Sequence, residues 1–104
     1  MAKYLLAYRG GGMPATPEEQ AKVMEAWGAW FGRLGPAVAD PGNPISQAKT
    51  IDANGSVAGD GRSSLSGNSV ISADSLDAAI ALAKACPVLE GGATIEVCET
   101  FEAM

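Results

Sequence analysis

Polar residues on a glycine-rich segment are the first candidates for chemistry in this chain. Asp60 and Arg62 flank Gly61 within the run from Gly59 to Gly67, which the sequence predicts to be irregular. A carboxylate and a guanidinium on such a loop can orient a small polar ligand through charge-assisted hydrogen bonds. The alternative is a solvated loop in which the aspartate serves only the turn, and the sequence leaves both interpretations open.

A second pair of candidates, Tyr8 and Arg9, ends the first predicted strand. On the first predicted helix, Trp27, Trp30 and Phe31 lie on the stripe expected to face the core. One of the tryptophans is expected to reach a cavity between helix and sheet, where Tyr8 and Arg9 would contact a small organic ligand. The predicted ligand-binding residues are therefore Tyr8, Arg9, Asp60 and Arg62.

Groups able to catalyse a reaction are few. The chain has no histidine, which excludes His-based acid–base catalysis and Ser–His or Cys–His nucleophilic pairs. Lys49 would act as a base only if it were buried, and Asp60 is the remaining candidate for a general base. Cys86 and Cys98 do not form a CxxC pair, and no carboxylates have metal-binding spacing. The sequence therefore predicts no metal and no cofactor.

Composition limits the partners. The 104 residues fit one domain, 1–104. The net charge of −5 with only seven basic residues argues against nucleic acid, and no basic run exists to hold a membrane surface. No apolar run approaches the roughly 20 residues of a membrane span, and the apolar N-terminal stretch is too short for a signal peptide. We expect a cytoplasmic protein with reduced, buried cysteines.

Apolar runs and turn residues predict the strands. They are expected at Lys3 to Tyr8, Asn68 to Ala73 and Ala93 to Thr100, with hairpin arms Ile45 to Ala53 and Ser56 to Gly59. Asn54-Gly55 supplies the two-residue turn of that hairpin. Residues 10–12 are glycines that follow a strand but lack the spacing of phosphate-binding motifs, so a flexible loop is predicted there.

Capping residues predict two helices. The first begins at Pro17 behind the cap Thr16 with its capping-box partner Glu19, and it ends at Gly35-Pro36. The second is capped by Asp74 or Ser75 and is stopped by Pro87. Its predicted inward residues are Leu76, Ala79, Ile80 and Ala83.

The order of elements predicts an α+β fold. The predicted order is strand, helix, a hairpin with a further strand, helix and strand. This order is typical of the ferredoxin-like βαββαβ fold, an antiparallel sheet with two helices on one face. The other face, which is expected to carry Tyr4 or Leu5 and their neighbours, is too apolar to suit water. A symmetric homodimer that buries this face is the expected assembly.

Several segments resemble one known family. The stretch from Leu65 to Ala79, LSGNSVISADSLDAA, resembles the LGGYYLIEADSLDEA stretch of the YCII-related (DGPF-domain) family. Shorter matches in the same order cover most of the chain. They are Lys3 to Leu6 with that family's opening strand, Pro17 to Glu19 with its helix start, and Ala85 to Pro87 and Gly91 to Val97 with its RCP and GGTVEV endings.

The resemblance implies a ferredoxin-like α+β fold assembled as a dimeric α/β barrel. Some relatives are suspected enzymes that act through a His–Asp pair, and some of their genes adjoin or fuse to sigma-factor genes. Asp60-Gly61 matches the Asp-Gly of the family's Asp-Gly-Pro-Phe signature, but Arg62 and Ser63 replace the Pro and Phe. Because this chain has no histidine, the stretch is interpreted either as a remodelled site or as a lost one.

Three functions follow from these observations. The leading prediction is a small homodimer that binds a small organic molecule between sheet and helix. The second is a lyase or isomerase that works by positioning, with Asp60 as base. The third is a non-catalytic interaction module linked to transcription, which a core without a cavity would favour.

Overall fold

The structure, a computed structural model, describes residues 1–12, 14–61 and 64–102. Its elements are β1 (Ala2–Arg9), α1 (Pro17–Leu34), β2 (Val38–Asp40), β3 (Ala48–Ile51), β4 (Val57–Gly61), β5 (Leu65–Ala73), α2 (Leu76–Ala83) and β6 (Thr94–Glu99). Helices and antiparallel sheet together make an α+β fold. Neither helix combines the length and apolarity needed to cross a membrane.

Both helices begin where the sequence provides a cap. The Thr16 hydroxyl accepts a hydrogen bond from the Glu19 N–H at 3.2 Å, and Pro17 takes the first helical position. Gly35 follows the last residue of α1 with a positive φ of 55°, which an L side chain rarely adopts. Ser75 caps α2 by accepting from the Ala78 N–H at 3.1 Å. The predicted bounds of α1 are confirmed, and Ser75 is the cap among the two candidates.

The main sheet has four antiparallel strands in the order β2-β5-β1-β6. Strand β1 lies in the interior of this sheet. It pairs with β5 from Ala2 opposite Ala73 as far as Arg9 opposite Leu65. On its other side it pairs with all of β6. Both edges of β1 are therefore bonded, and its residues alternate between the face that packs against the helices and the opposite face.

The predicted hairpin forms, but it does not join the main sheet. Strands β3 and β4 make a separate two-stranded sheet. The fourth strand of the main sheet is instead β2, which pairs with β5 through Val38 opposite Ile71. Three residues are too few for any periodicity to show in the sequence. Only the pairing with β5 identifies β2 as a strand.

The prediction that Gly59 to Gly67 is irregular is wrong at both ends of that segment. Strand β4 extends to Gly61, and β5 already begins at Leu65. Gly59 and Gly61 both have positive φ, at 113° and 91°. Glycine adopts positive φ within a paired strand at little steric cost. A high glycine content therefore does not distinguish this strand from a loop.

Both helices pack on one face of the main sheet. The core consists of alternate strand residues together with residues of both helices: Tyr4, Leu6, Tyr8, Ile71, Ala73, Trp30, Leu34, Ala79 and Ala83. The Trp30 indole N–H, on α1, donates to the Leu82 carbonyl at 3.1 Å on α2. Leu76, predicted to face inward, is 40% exposed. It is the first residue of α2, one turn before the buried residue Ala79.

The opposite face of the sheet is left open. Period-two alternation places Leu5 there, because Tyr4 and Leu6 belong to the core. Leu5 is paired with Val70 on one side and with Cys98 on the other, so one apolar residue from each of three strands forms a row. We call this set the open-face row. Of the two candidates for this face, Tyr4 therefore faces the helices.

We expect Trp30→Phe to lower the free energy of unfolding by about 1–3 kcal/mol. The variant loses the hydrogen bond to Leu82 and leaves a gap beside an almost fully buried ring. Urea denaturation followed by circular dichroism measures the change. Met24→Leu, at an exposed position of the same helix, is the control and should change stability little. Equal effects of the two variants would contradict the assigned core.

Candidate functional site

A cavity of about 640 Å³ lies between α1 and the end of the main sheet. Its volume falls within the range of about 300–1,000 Å³ typical of small-molecule sites. Tyr8 lines it from β1, and Val23, Trp27 and Phe31 line it from α1. The centroid of the Trp27 ring lies 5.5 Å from that of Tyr8 in an edge-to-face arrangement, and 5.6 Å from that of Phe31 in a tilted one. The wall shared by helix and sheet is therefore aromatic.

A buried chain of hydroxyl groups lies beside this wall. The Tyr8 hydroxyl donates to Ser69 Oγ at 2.8 Å, and Ser69 Oγ donates to the Pro41 carbonyl at 2.7 Å. The direction is fixed chemically, because a carbonyl oxygen can only accept. Ser69 must give its proton to Pro41, so it accepts from Tyr8. The Tyr8 oxygen retains lone pairs for a further donor.

The Cys86 thiol lies next to the Tyr8 hydroxyl and is buried. Burial raises the pKa of Tyr8 well above 10.0, the hydrogen bond with Ser69 opposes this shift, and Cys86 adds to it. Burial likewise raises the pKa of Cys86 above 9.0, against smaller opposing effects of Val88 and Tyr8. Both groups are therefore neutral near pH 7. A protonated buried thiol is a poor nucleophile.

One wall of the cavity is the loop that follows β2. The Gly42 N–H donates to Asp40 Oδ1 at 2.8 Å, and the Ile45 N–H donates to the Ser66 carbonyl at 2.9 Å. Gly42 has φ 75°, and a Cβ there would overlap the Asn68 carbonyl. Glycine is required at this position because only a residue without a side chain lets the loop pack this closely against β5.

Glycine-rich segments form another part of the cavity lining. Residues 10–12 and Gly91 line the cavity, and Gly91 lies close to Gly11 and Gly12. Gly11 has φ 71°, and a Cβ there would lie 3.1 Å from Ala93 Cβ. Lys22 and Glu90 also line the cavity and are its charged residues among those that the structure describes. The cavity thus combines an apolar interior with charged side chains of both signs.

Of the three predicted binding residues that the structure describes, Tyr8 lines the cavity, whereas Arg9 and Asp60 are not among its lining residues. Arg9 is exposed and lies on the open face, where Nη2 contacts Glu96 Oε1 at 3.0 Å and Nη1 donates to Ser64 Oγ at 2.8 Å. Asp60 is exposed in β4, within the hairpin sheet. Arg62 lies outside the described residues. The role of these residues in binding stays a prediction.

Sequence reasoning missed Ser69, and it predicted the loop at Pro41 without placing it beside the cavity. Alternation along β5 predicts that Ser69 is buried, because it shares the core face with Ile71 and Ala73. A buried serine needs a hydrogen-bond partner, so this position could have been identified as a candidate from the sequence. The partner itself could not be read from sequence, since Pro41 lies 28 residues away. Every buried side-chain nitrogen and oxygen of the described residues has a partner.

Comparison with known proteins adds no assignment: no model of a known family matches the chain, and no curated protein matches it either. The candidate site is therefore defined by its geometry. Within residues 1–12, 14–61 and 64–102, no group of three or more Cys, Asp or Glu side chains is placed to hold a metal ion. The candidate site consists of the cavity, its aromatic wall and the chain of hydroxyl groups beside that wall.

We expect Gly42→Ala to destabilise the protein by about 2 kcal/mol or more, because the new methyl group overlaps Asn68 at a positive φ. The matched control is Gly28→Ala in α1, where nothing lies within 4 Å of a built Cβ. That substitution should stabilise by about 0.5–1 kcal/mol through helix propensity. Urea denaturation compares the two. Similar changes of the same sign would contradict the described loop.

Stability should fall above pH 10. The unfolded chain releases the Tyr8 proton near 10.0, whereas the folded chain keeps it at higher pH. The unfolded state then binds fewer protons, so the free energy of unfolding falls by about 1.4 kcal/mol per pH unit for each such group. The stabilising contribution is fully present below pH 10 and is lost as the pH rises through the folded pKa. Cys86 acts in the same direction from near 9.0.

Tyr8→Phe tests whether the Tyr8 hydroxyl causes the loss of stability at high pH. The variant should lose about 1 kcal/mol at neutral pH with the hydrogen bond to Ser69. Above pH 10 its stability should fall less steeply than that of the wild type. Denaturant titrations between about pH 8 and about pH 11 measure both slopes. Identical slopes would show that Tyr8 is not the group that titrates.

Proposed function

We propose that the protein binds a small, flat, mainly apolar organic molecule in the cavity between α1 and the sheet. The observation that carries this proposal is the aromatic wall of Tyr8, Trp27 and Phe31 in a cavity of about 640 Å³. Aromatic and aliphatic linings favour ligands that bury apolar area and stack against rings. A core without a cavity would have favoured the interaction module, so the cavity supports ligand binding over that alternative.

The hydroxyl chain supports a more specific ligand. Since the Tyr8 proton is directed to Ser69, the Tyr8 oxygen is an acceptor, and a ligand donor would compete for it with the neighbouring Cys86 thiol. The ligand is therefore expected to carry a hydroxyl or N–H donor at its buried end. The enzyme alternative gains no support from this arrangement, because its candidate base, Asp60, lies in the hairpin sheet.

The proposed family and assembly are those of the resemblance: a YCII-related, ferredoxin-like subunit in a homodimeric α/β barrel. The strand order β2-β5-β1-β6 supports this proposal. When the β3–β4 hairpin is treated as an insertion, the remaining elements run βαββαβ with both helices on one face. The open-face row supports burial of the other face by a second copy.

Ligand binding is tested first by native mass spectrometry of freshly purified protein, which reports any molecule carried through purification. A direct assay uses N-phenyl-1-naphthylamine, an apolar aromatic probe with one N–H donor that fluoresces when it leaves water. We expect saturable binding of one probe per chain. Trp27→Ala should weaken it about 10-fold, because one ring of the wall is lost.

Tyr8→Phe separates shape from hydrogen bonding. It should weaken binding of the N–H probe about 5-fold, the equivalent of one hydrogen bond. It should leave binding of 1-benzylnaphthalene, a related hydrocarbon without a donor, nearly unchanged. Ile51→Ala, in the exposed hairpin, is the control for both probes. Probe binding that is indifferent to Trp27 and Tyr8 would contradict the proposed site.

A further inference from the structure

The hairpin projects from the body of the protein without a core of its own. We call residues 46–61, which contain β3 and β4, the arm. Its residues are nearly all exposed, and Ile51 and Val57 are 71% and 64% exposed although they are large and apolar. They lie opposite each other across the two strands. A two-stranded hairpin alone is marginally stable in water, so the arm needs a surface to pack against.

The overall dimensions show how much surface is left uncovered. The radius of gyration is 15.2 Å, against about 13 Å for a compact domain of this length. The accessible surface is 7192 Å², whereas a compact protein of this mass exposes about 5,400 Å². The excess is about 1,800 Å² per chain. Obligate homodimers bury about 1,000–2,500 Å² on each subunit, so the excess matches what such a dimer removes from water.

A surface of matching character lies on the same chain. The open-face row of Leu5, Val70 and Cys98 is half-buried and apolar. Polar residues flank it, among them the Arg9–Glu96 ion pair. Three neighbouring strands make this row about 10 Å long. The exposed Ile51–Val57 pair of the arm has the size to cover it.

We infer that the arm of one copy lies across the open face of a second copy, with Ile51 and Val57 over the partner's open-face row. This inference rests on the proposed homodimer and states which surfaces form it. The arm extends about 25 Å from residue 46 to its tip, longer than the width of about 15 Å of a four-stranded sheet. Because one chain carries both surfaces, a two-fold axis satisfies both arms and both faces at once.

Cys98 provides a reporter in the natural sequence. Cys86 is 2% exposed and buried in the core, whereas Cys98 lies in the open-face row. Introducing Ile51→Cys should therefore give a covalent dimer under mild oxidation, seen on a non-reducing gel. Adding Cys98→Ser should remove most of that product. Glu18→Cys, on the first turn of α1, is the control and should give little crosslinking.

A second experiment does not depend on disulfide geometry. Ile51→Asp with Val57→Asp changes two exposed side chains, so the subunit fold should be retained. We expect the variant to dimerise at least about 100-fold more weakly in analytical ultracentrifugation, because four carboxylates would be buried per dimer. Binding of N-phenyl-1-naphthylamine should persist, since the cavity is built from other elements.

The outcomes separate this inference from the proposed function. A wild-type dimer that shows neither the crosslink nor the weakening overturns the arm-on-face inference and leaves the homodimer standing. A wild-type monomer at all concentrations overturns both the inference and the homodimer. Loss of probe binding only in cavity variants bears on the ligand proposal and leaves the arm unaffected.

Discussion

Strand β1 holds the structure together because both of its edges and one of its faces are occupied. It is bonded to β5 along its whole length and to β6 along most of it. Since alternate residues of a strand point to opposite faces, a single eight-residue segment divides the molecule. Tyr4, Leu6 and Tyr8 face the helices. Leu5 and its neighbours form the face left open.

Tyr8, the last core residue of β1, belongs both to the core and to the wall of the cavity. Tyr8 ends the buried series, and its hydroxyl connects through Ser69 to the Pro41 carbonyl. That connection fixes the loop after β2 against the start of β5, with Gly42 allowing the close approach. The same ring forms the cavity wall with Trp27. Folding and the proposed binding therefore depend on the same side chain, so binding studies on Tyr8 need a stability measurement beside them.

The hairpin has the opposite character, since it adds surface rather than core. A small domain has little apolar area to spare, yet this chain leaves a long arm and one sheet face uncovered. Both surfaces are explained if they cover each other across a two-fold axis. The cavity lies between α1 and the opposite face of the sheet, so the proposed assembly and the proposed ligand binding use different sides of the same strands.

Local chemistry allowed much of the fold to be predicted. The caps at Thr16 and Ser75 and the stop at Gly35 are each set by neighbours in sequence. Their positions could therefore be read without a structure. The hairpin turns at Asn54-Gly55 as predicted, but its loop has three residues rather than two, because the Asp52 N–H donates to the Ser56 carbonyl. The end of the first strand was expected to reach the cavity with both Tyr8 and Arg9, and only Tyr8 lines it.

The remaining features depend on contacts between distant segments. Only pairing with β5 makes a strand of Val38–Asp40, and only the register of three strands aligns Leu5 with Val70 and Cys98. The alternation that buries Tyr8 also turns Arg9 to the other face, where it meets Glu96. By itself, the sequence determined the helices, the position of the hairpin and the aromatic residues of the first helix, because these follow from local preferences. The tertiary structure alone decided which residues share a site, because strand pairing and face are set by partners far along the chain.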